Sequence, residues 1–215
     1  QSFVHLFVER QIENLEYRKG GNNMNRKIMI IGAGGIGSFL IPLLDRTGLY
    51  DITVFDPDKV ETKNLTYQNF KKGHVGQNKA SVMSQEYSNV IHASQFKVLT
   101  PNQISGYDIV VCCADNLDVR RLLYRQGFGE DANLKWLDTR AQGRNGAVIS
   151  YKVDKNLAST LLAGKEGSFS CQGENWDGSA KGVNYMQVVV AGLAIQWLQN
   201  YFIDNEVFEY KVVNA

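Results

Sequence analysis

The stretch MIIGAGGIGSFL, residues 29–40, decides the fold. An apolar run is followed by a cluster of glycines, and a second apolar run begins directly after it. This order predicts a strand, a tight turn and the start of a helix. Such a turn places backbone N–H groups and the positive end of the helix dipole where a nucleotide phosphate binds. We expect four glycines to form this turn: Gly32, Gly34, Gly35 and Gly37.

The remaining pattern predicts an α/β domain with a doubly wound, Rossmann-like, mainly parallel sheet. Its early strands are short and almost wholly apolar, which is typical of a parallel sheet covered on both faces. Two later segments, WLDTRAQG and NGAVISYKV, meet at a Gly/Asn turn and predict antiparallel strands toward the C-terminus. Strands are expected near 27–32, 51–55, 91–98, 107–113, 134–140 and 145–153, and helices near 35–47, 76–88, 117–129 and 183–202, before a closing strand in EVFEYKVV.

The chain divides into two parts. Residues 1–24 predict an amphipathic helix and a Gly/Asn-rich linker, because apolar residues alternate with charges before KGGNNMN. Residues 25–215 predict a single nucleotide-binding domain, in which 155–181 is an irregular crossover stretch. A chain of 215 residues is long enough for one such core.

Composition limits the partners. Lys and Arg number 23 against 22 Asp and Glu, so the net charge of +1 argues against nucleic-acid or membrane partners. No apolar run has the length of a membrane span. The three cysteines are too few for a disulfide framework and include no C-x-x-C pair, which argues against structural zinc. Reduced thiols favour a cytoplasmic location.

An acidic residue follows the second predicted strand. Asp56 ends ITVFD roughly 20 residues beyond the glycines, where a carboxylate binds ribose hydroxyls. Up to this point an NAD(P)-dependent oxidoreductase and an ATP-using adenylating enzyme explain the sequence equally well.

The segments after Asp56 distinguish the two. DPDKVETKNLTYQNF (56–70), GHVGQNKA (73–80) and VVCCADN (110–116) resemble the ThiF/MoeB/HesA family, the adenylating domains related to ubiquitin-activating enzymes. The likeness is close over 28–121 and looser through the long helix near 183–202. The residues that carry it, besides the glycines, are Asp56, Asp58, Val60, Asn64, Leu65, Gln68, Val75, Gly76, Lys79, Ala80 and Asp115.

This resemblance implies an ATP- and Mg²⁺-dependent adenylyltransferase. Its partner would be a ubiquitin-like or sulfur-carrier protein ending in Gly-Gly, whose carboxylate attacks the α-phosphate to give an acyl-adenylate. The family also implies a homodimer. Lys79 would neutralise phosphate charge and Asp115 would hold Mg²⁺. Asp56 would bind the ribose, Asn64 would contact phosphates or position the metal, and the nucleotide site would also include Asp58, Tyr67 and Gln68.

Each role has a plainer structural alternative. Lys79 could be a solvated surface charge, Asp115 a helix cap and Asn64 a turn residue. Tyr67 stands where the family has Arg, and a phenol cannot replace a guanidinium on a phosphate. Either another cation, Lys63, Lys71 or Lys72, takes over, or ATP is bound weakly, or the chemistry has been lost. Tyr67 could instead stack or hydrogen-bond. A non-catalytic nucleotide-binding scaffold therefore stays open beside the enzyme.

Two further candidates depend on the family pattern. Arg10, in VERQ, matches an arginine that the family supplies from an N-terminal helix to the partner subunit, and it could equally be a solvated helix residue. Cys171 lies among small polar residues, where we expect it to be exposed and able to accept the acyl group as a thioester. Cys112 and Cys113 lie in an apolar strand and are expected to fill the core.

Overall fold

A computed structural model gives the positions of residues 25–129, 133–162, 171–172, 176–177 and 179–215. The N-terminal helix predicted within residues 1–24 lies outside the described residues, and so does Arg10. In chain order, the elements are β1 (Arg26–Ile31), α1 (Gly37–Thr47), β2 (Tyr50–Phe55), α2 (Lys79–Glu86), β3 (Val90–Ser94), β4 (Ile109–Cys112), α3 (Leu117–Gly127), β5 (Trp136–Gln142), β6 (Asn145–Ser150), α4 (Lys155–Leu161), α5 (Met186–Phe202) and β7 (Tyr210–Asn214).

The strands form one sheet in the order β3-β2-β1-β4-β5-β6-β7. The pairs from β3 to β5 are parallel, and β5–β6 and β6–β7 are antiparallel. The chain winds outward from β1 to β3 and then returns to the other side of β1 as β4. The crevice between the carboxyl ends of β1 and β4 is therefore the switch point, where doubly wound sheets bind ligands. The predicted fold class is confirmed.

Apolar residues on both faces of β1 explain why the sheet is covered on both sides. Ile28 and Ile30 pack into a buried cluster with residues of α1 and α5, whereas Met29 and Ile31 pack with residues of α3 on the other face. A strand buried on both faces needs no polar alternation. The apolar start of the stretch at residues 29–40 thus specifies a central strand.

Most predicted element boundaries differ from the structure by a few residues, and one helix was not predicted. α2 begins at 79 rather than 76, because Asn78 caps it by accepting a hydrogen bond from Ser81 N at 3.0 Å. The third strand ends at 94 rather than 98. The stretch predicted as irregular contains α4, whose cap Asp154 accepts from the backbone N–H groups of Asn156 and Leu157. Asp is a typical N-cap residue, so Asp154 could have indicated the start of this helix, but the Gly-, Ser- and Lys-rich composition of the stretch favoured an irregular segment.

α5 is apolar on almost every side. Ala191, Ala194 and Trp197 are buried against the sheet, while Val188 and Val189 are exposed. Within the described ranges, no helix combines the length and apolar character needed to cross a membrane.

Candidate functional site

Two glycines of the β1–α1 turn are required by backbone packing. Gly32 adopts a φ of 98°, and a Cβ there would lie 2.8 Å from the backbone N of Ala114. A Cβ at Gly37 would collide with the carbonyl oxygen of Gly32. The turn can therefore close against the end of β4 only with glycine at both positions.

The other two glycines of the turn differ in the space that a side chain would have. A Cβ at Gly34 would meet only the Nε2 of Gln68, at 3.9 Å, whereas a Cβ at Gly35 would lie 2.8 Å from the Sγ of Cys171. The Oε1 of Gln68 is buried and accepts no hydrogen bond from the residues that the structure describes. Buried acceptors are normally satisfied, so this oxygen fits a ligand that brings a donor.

Asp56 ties the turn to the segment that follows β2. Its Oδ2 accepts a hydrogen bond from Ala33 N at 2.7 Å, and its Oδ1 accepts one from Asp58 N at 2.8 Å. The side chain is only 4% exposed, and burial raises the pKa of its carboxyl against the opposing effect of Lys79. Asp56 thus holds the glycine turn in place, and its predicted ribose contact would use the lone pairs that remain.

Lys79 is a buried cation at the first residue of α2. It is 7% exposed, its Nζ lies 3.4 Å from the Oδ2 of Asp58, and its backbone N donates to the Asp58 carbonyl at 2.9 Å. Asn78 holds the same segment, because its Nδ2 donates to the carbonyl oxygens of Asp56 and Asp58. The alternative of a solvated surface lysine is wrong. The Asp58 side chain, by contrast, is 69% exposed, so a phosphate could replace it as the partner of Lys79.

Asn64 and Tyr67 contact each other in a short 3₁₀ turn, Thr62–Thr66. The Oδ1 of Asn64 accepts from Glu61 N at 2.8 Å, and its Nδ2 donates to the Tyr67 hydroxyl at 3.3 Å. The Tyr67 ring also packs edge-on against Trp176, with ring centroids 5.1 Å apart. Asn64 thus makes the hydrogen bonds of a turn residue, and its contact with phosphates or the metal stays a prediction. Tyr67 hydrogen-bonds and packs edge-on against a second ring.

The three lysines considered as substitutes for the family arginine differ in their partners. Lys63 pairs with Glu61 at 2.8 Å, and Lys71 pairs with Glu86. Lys72 is exposed and forms no ion pair with a described residue. Lys72 is thus the one of the three that no neighbouring carboxylate within the described ranges neutralises.

Asp115 lies at the carboxyl end of β4, across the switch point from the glycine turn. Its side chain is exposed and makes no hydrogen bond or ion pair with a described residue. The cap of α3 is Asn116, which accepts from Asp118 N at 2.7 Å. The helix-cap interpretation of Asp115 is therefore wrong, and its carboxylate is available as a hard oxygen ligand for Mg²⁺.

Cys171 lines a cavity of about 330 Å³ that it shares with Asp115. Its carbonyl oxygen accepts from Gly143 N at 3.0 Å, which holds the residue beside the β5–β6 turn. The expectation of an exposed thiol is wrong: the residue is partly buried, and burial raises its pKa to about 11, with Asp115 adding to the effect. Cys112 and Cys113 are buried in the core, as expected.

Sequence reasoning missed a charged cluster in the wall of the same cavity. Asp138 in β5 is fully buried and is paired with Arg120 and Arg140. The clue was in WLDTRAQ, where two charges interrupt a strand that is otherwise apolar at its start. Charges in a buried strand need partners, and Arg120 of α3 is the partner that spacing could not identify.

A model of the ThiF family matches residues 9–210. SUMO-activating enzyme subunit 2 of Dictyostelium discoideum is 28% identical over 156 residues, which are 68% of this chain and 22% of that protein. The adenylyltransferase and sulfurtransferase UBA4 of Candida albicans is 30% identical over 108 residues, 46% of this chain and 25% of that protein. The chain thus spans about a quarter of the length of these relatives.

Solved structures agree on the fold. E. coli MccB aligns with a TM-score of 0.66 and 18% identity over 90% of this chain and 60% of that one. The structure of E. coli MccB with ATP aligns with a TM-score of 0.62 and 20% identity, over 86% of this chain and 58% of that one.

Proposed function

Because the chain belongs to the ThiF family, we propose that it is an adenylyltransferase that uses ATP and Mg²⁺ to activate a polypeptide carboxylate. The substrate is the C-terminus of a ubiquitin-like or sulfur-carrier protein that ends in Gly-Gly. The product is an acyl-adenylate, and pyrophosphate leaves.

One observation carries this proposal: a buried lysine and an exposed carboxylate flank the switch point of the sheet. Lys79 lies on the β2 side, beside Asp58, and Asp115 lies at the end of β4. ATP and a carboxylate are both anions, so their approach requires a cation at the phosphates. A buried cation supplies that stabilisation better than a solvated one, since water screens it less.

The residues present fit a bound nucleotide. The glycine turn offers backbone N–H groups at the start of α1, and the Oε1 of Gln68, which no described residue hydrogen-bonds, offers an acceptor beside it. Asp115 would hold Mg²⁺, which supplies charge neutralisation at the phosphates when it is bound. Lys79 exchanges its exposed partner Asp58 for phosphate oxygens. The polypeptide carboxylate enters from the cavity on the β4–β5 side. Asp56, which would bind the ribose hydroxyls, lies on the opposite side of the site.

Cys171 is the candidate for a second step. Its thiolate would attack the acyl carbonyl of the adenylate, forming the C–S bond while the bond to AMP breaks, and the thiol proton would pass to solvent. The contact with Gly35 places the sulfur beside the nucleotide turn, which supports the assignment. The raised pKa of Cys171 opposes it, because it leaves little thiolate at neutral pH.

A non-catalytic nucleotide-binding scaffold is the second candidate, favoured by Tyr67. The Tyr67 hydroxyl is engaged by Asn64 and its ring by Trp176, so no cation reaches the site from this position. Such a protein would bind ATP and release no pyrophosphate. An NAD(P)-dependent oxidoreductase is the third, and it would bind NAD in preference to ATP.

The homodimer is also part of the proposal. The exposed Val188 and Val189 on α5 offer an apolar surface that a second copy could cover. Sedimentation velocity tests this directly: a single species of 24.1 kDa at every concentration refutes the dimer.

Two measurements separate the three functions. Thermal unfolding is followed with Mg-ATP, Mg-ADP, NAD and NADP, where roughly 100-fold saturation adds about 2.7 kcal/mol of unfolding free energy for the true ligand. ATP–pyrophosphate exchange is then measured with candidate proteins ending in Gly-Gly. Stabilisation by Mg-ATP together with exchange supports the adenylyltransferase. Stabilisation without exchange for any candidate favours the scaffold, and stabilisation by NAD alone refutes the proposal.

A further inference from the structure

The cavity beside Asp115 continues away from the glycine turn, over the ends of β4 and β5. Its volume of about 330 Å³ lies at the lower end of the range that small-ligand sites occupy, roughly 300–1,000 Å³. Apolar side chains, among them Ile36, Leu117 and Leu161, share the wall with Arg120 and Arg140. Such a mixed wall suits the side chains of a peptide.

The arginines share a single carboxylate. The Oδ1 of Asp138 accepts from the Nε of Arg120 at 2.9 Å. Its Oδ2 accepts from the Tyr124 hydroxyl at 2.9 Å and from the Nη2 and Nε of Arg140 at 2.7 and 3.0 Å. Both oxygens of Asp138 are therefore fully used, and one negative charge faces two guanidinium groups.

Among the described residues, the cluster thus carries one more positive than negative charge in a poorly hydrated place. The Arg120 side chain is 8% exposed and that of Arg140 24%. Asp115, the other charged residue in the described wall of the cavity, is exposed and within ion-pair distance of neither arginine. A buried cation without a matching anion is costly, so the cavity should attract one.

Arg140 lines the cavity, and hydrogen bonds to neighbouring residues hold its guanidinium group. Its Nη1 donates to the carbonyl oxygen of Leu161 at 2.7 Å, and its Nη2 also contacts the Tyr124 hydroxyl at 3.3 Å. These contacts fix the plane of the guanidinium group before any ligand arrives. A fixed guanidinium loses little entropy when it binds a carboxylate.

We propose that Arg140, supported by Arg120, forms a subsite for an acidic side chain within the last few residues of the polypeptide substrate. The assignment rests on the proposed function, because the reacting carboxylate must then lie near Asp115 and the residues before it must fill the cavity. Apolar walls favour the methylene groups of Glu over a hydrated phosphate, which would lose its water there. The subsite therefore selects among substrates and takes no part in the bond-making step.

The test uses two synthetic peptides, acetyl-Ala-Glu-Glu-Glu-Gly-Gly and acetyl-Ala-Gln-Gln-Gln-Gly-Gly, which share the proposed Gly-Gly terminus and differ in side-chain charge. Binding is measured by isothermal titration calorimetry, with and without Mg²⁺ and a non-hydrolysable ATP analogue. We expect the Glu peptide to bind the parent protein about tenfold more tightly or better, as a charge-assisted contact implies. In Arg140→Gln the two affinities should become nearly equal.

Matched variants make the result decisive. Arg140→Lys keeps the charge and should retain part of the preference, and Arg144→Gln, an exposed arginine outside the cavity, should retain all of it. Arg140→Gln leaves Asp138 paired with Arg120 and Tyr124 but removes two hydrogen bonds from this buried carboxylate, so its unfolding free energy should fall below that of the parent. Thermal unfolding therefore establishes that each variant is folded at the temperature of the titration.

Three results overturn the subsite: no preference in the parent, no binding of either peptide at millimolar concentration, or a preference that survives in Arg140→Gln. Binding of the ATP analogue in the same titrations reports on the proposed function separately. Peptide selectivity without analogue binding would retain the subsite and reject the adenylyltransferase, and the reverse would reject the subsite alone.

Discussion

Replacing Lys79 by Met removes a single buried charge and little else. Methionine keeps the length and volume of the aliphatic stem, so the start of α2 should pack as before. The backbone hydrogen bond from residue 79 to the Asp58 carbonyl and the cap by Asn78 do not involve the ammonium group. The expected effect is therefore electrostatic.

Its size follows from what Lys79 contacts. Loss of one charge-stabilising contact in a shielded site costs about 3–4 kcal/mol of barrier, so pyrophosphate exchange should fall by roughly 10²–10³. The effect on stability is smaller, because the exposed partner Asp58 contributes to a pair worth about 0–1 kcal/mol. Burial already raises the pKa of Asp56, and loss of Lys79 raises it further. The unfolding free energy of the variant should thus lie below that of the parent at neutral pH, and the gap should narrow as acid protonates Asp56.

Exchange kinetics and thermal unfolding between pH 5 and 8 test both parts. Lys211→Met is the control, since this exposed lysine lies on β7 at the opposite edge of the sheet from α2. The control should match the parent in both assays. A Lys79→Met variant that exchanges within a factor of two of the parent would refute the role of Lys79, and a stability gap that widens in acid would refute the coupling to Asp56.

Three other predictions concern the same site. Asp115→Ala should abolish Mg²⁺-dependent exchange at unchanged thermal stability, whereas Asn116→Ala should lower the unfolding free energy by about 1 kcal/mol through the lost cap. A Mg²⁺ titration of exchange and thermal unfolding test both variants. A stability loss in Asp115→Ala with unchanged exchange would show that Asp115 acts as a helix cap. Gly35→Ala should destabilise the fold by about 1–3 kcal/mol by pressing on Cys171, and Gly34→Ala should not; equal denaturation midpoints would contradict the packing. Alkylation of Cys171 by iodoacetamide at pH 8 should be about 100-fold slower than for a thiol of pKa 9 and should rise tenfold per pH unit until about pH 11, and a plateau near pH 9 would show that the thiol is not shielded.

Sequence reasoning recovered most of the sheet because the strands are locally marked. The apolar runs of β1 and β4 and the glycine turn specify a covered parallel sheet without long-range information. α4 was missed because its short sequence, KNLASTL, lies in a Gly- and Ser-rich stretch and only Asp154 marks its start. The observed ends of α2 and β3 differ from the predicted ones because caps and the direction of the adjoining loops set the ends of an element, whereas periodicity does not.

The sequence supplied candidate site residues, whose roles stay predictions, but it did not supply the partners of their side chains. The order of the family motifs identified Lys79 and Asp115, yet only the fold shows that Lys79 is buried against Asp58 and that Asn116 relieves Asp115 of capping. The burial of Cys171 beside Gly35 depends on a contact between residues far apart in sequence, which spacing cannot encode. The pairing of Arg120 with Asp138 escaped notice for the same reason.

The two hydrogen bonds of Asp56 have a consequence for divergence within the family. Because this carboxylate fastens the backbone of Ala33 and of Asp58, a chain that no longer processed nucleotides would still need it to fold. Asp115 has no such duty and would drift freely once catalysis was lost. Among relatives, retention of an acid at position 56 should therefore report ancestry, while retention at position 115 should report a working enzyme. Sorting homologues by the residue at position 115 and measuring pyrophosphate exchange in each group would test whether that position separates active enzymes from scaffolds.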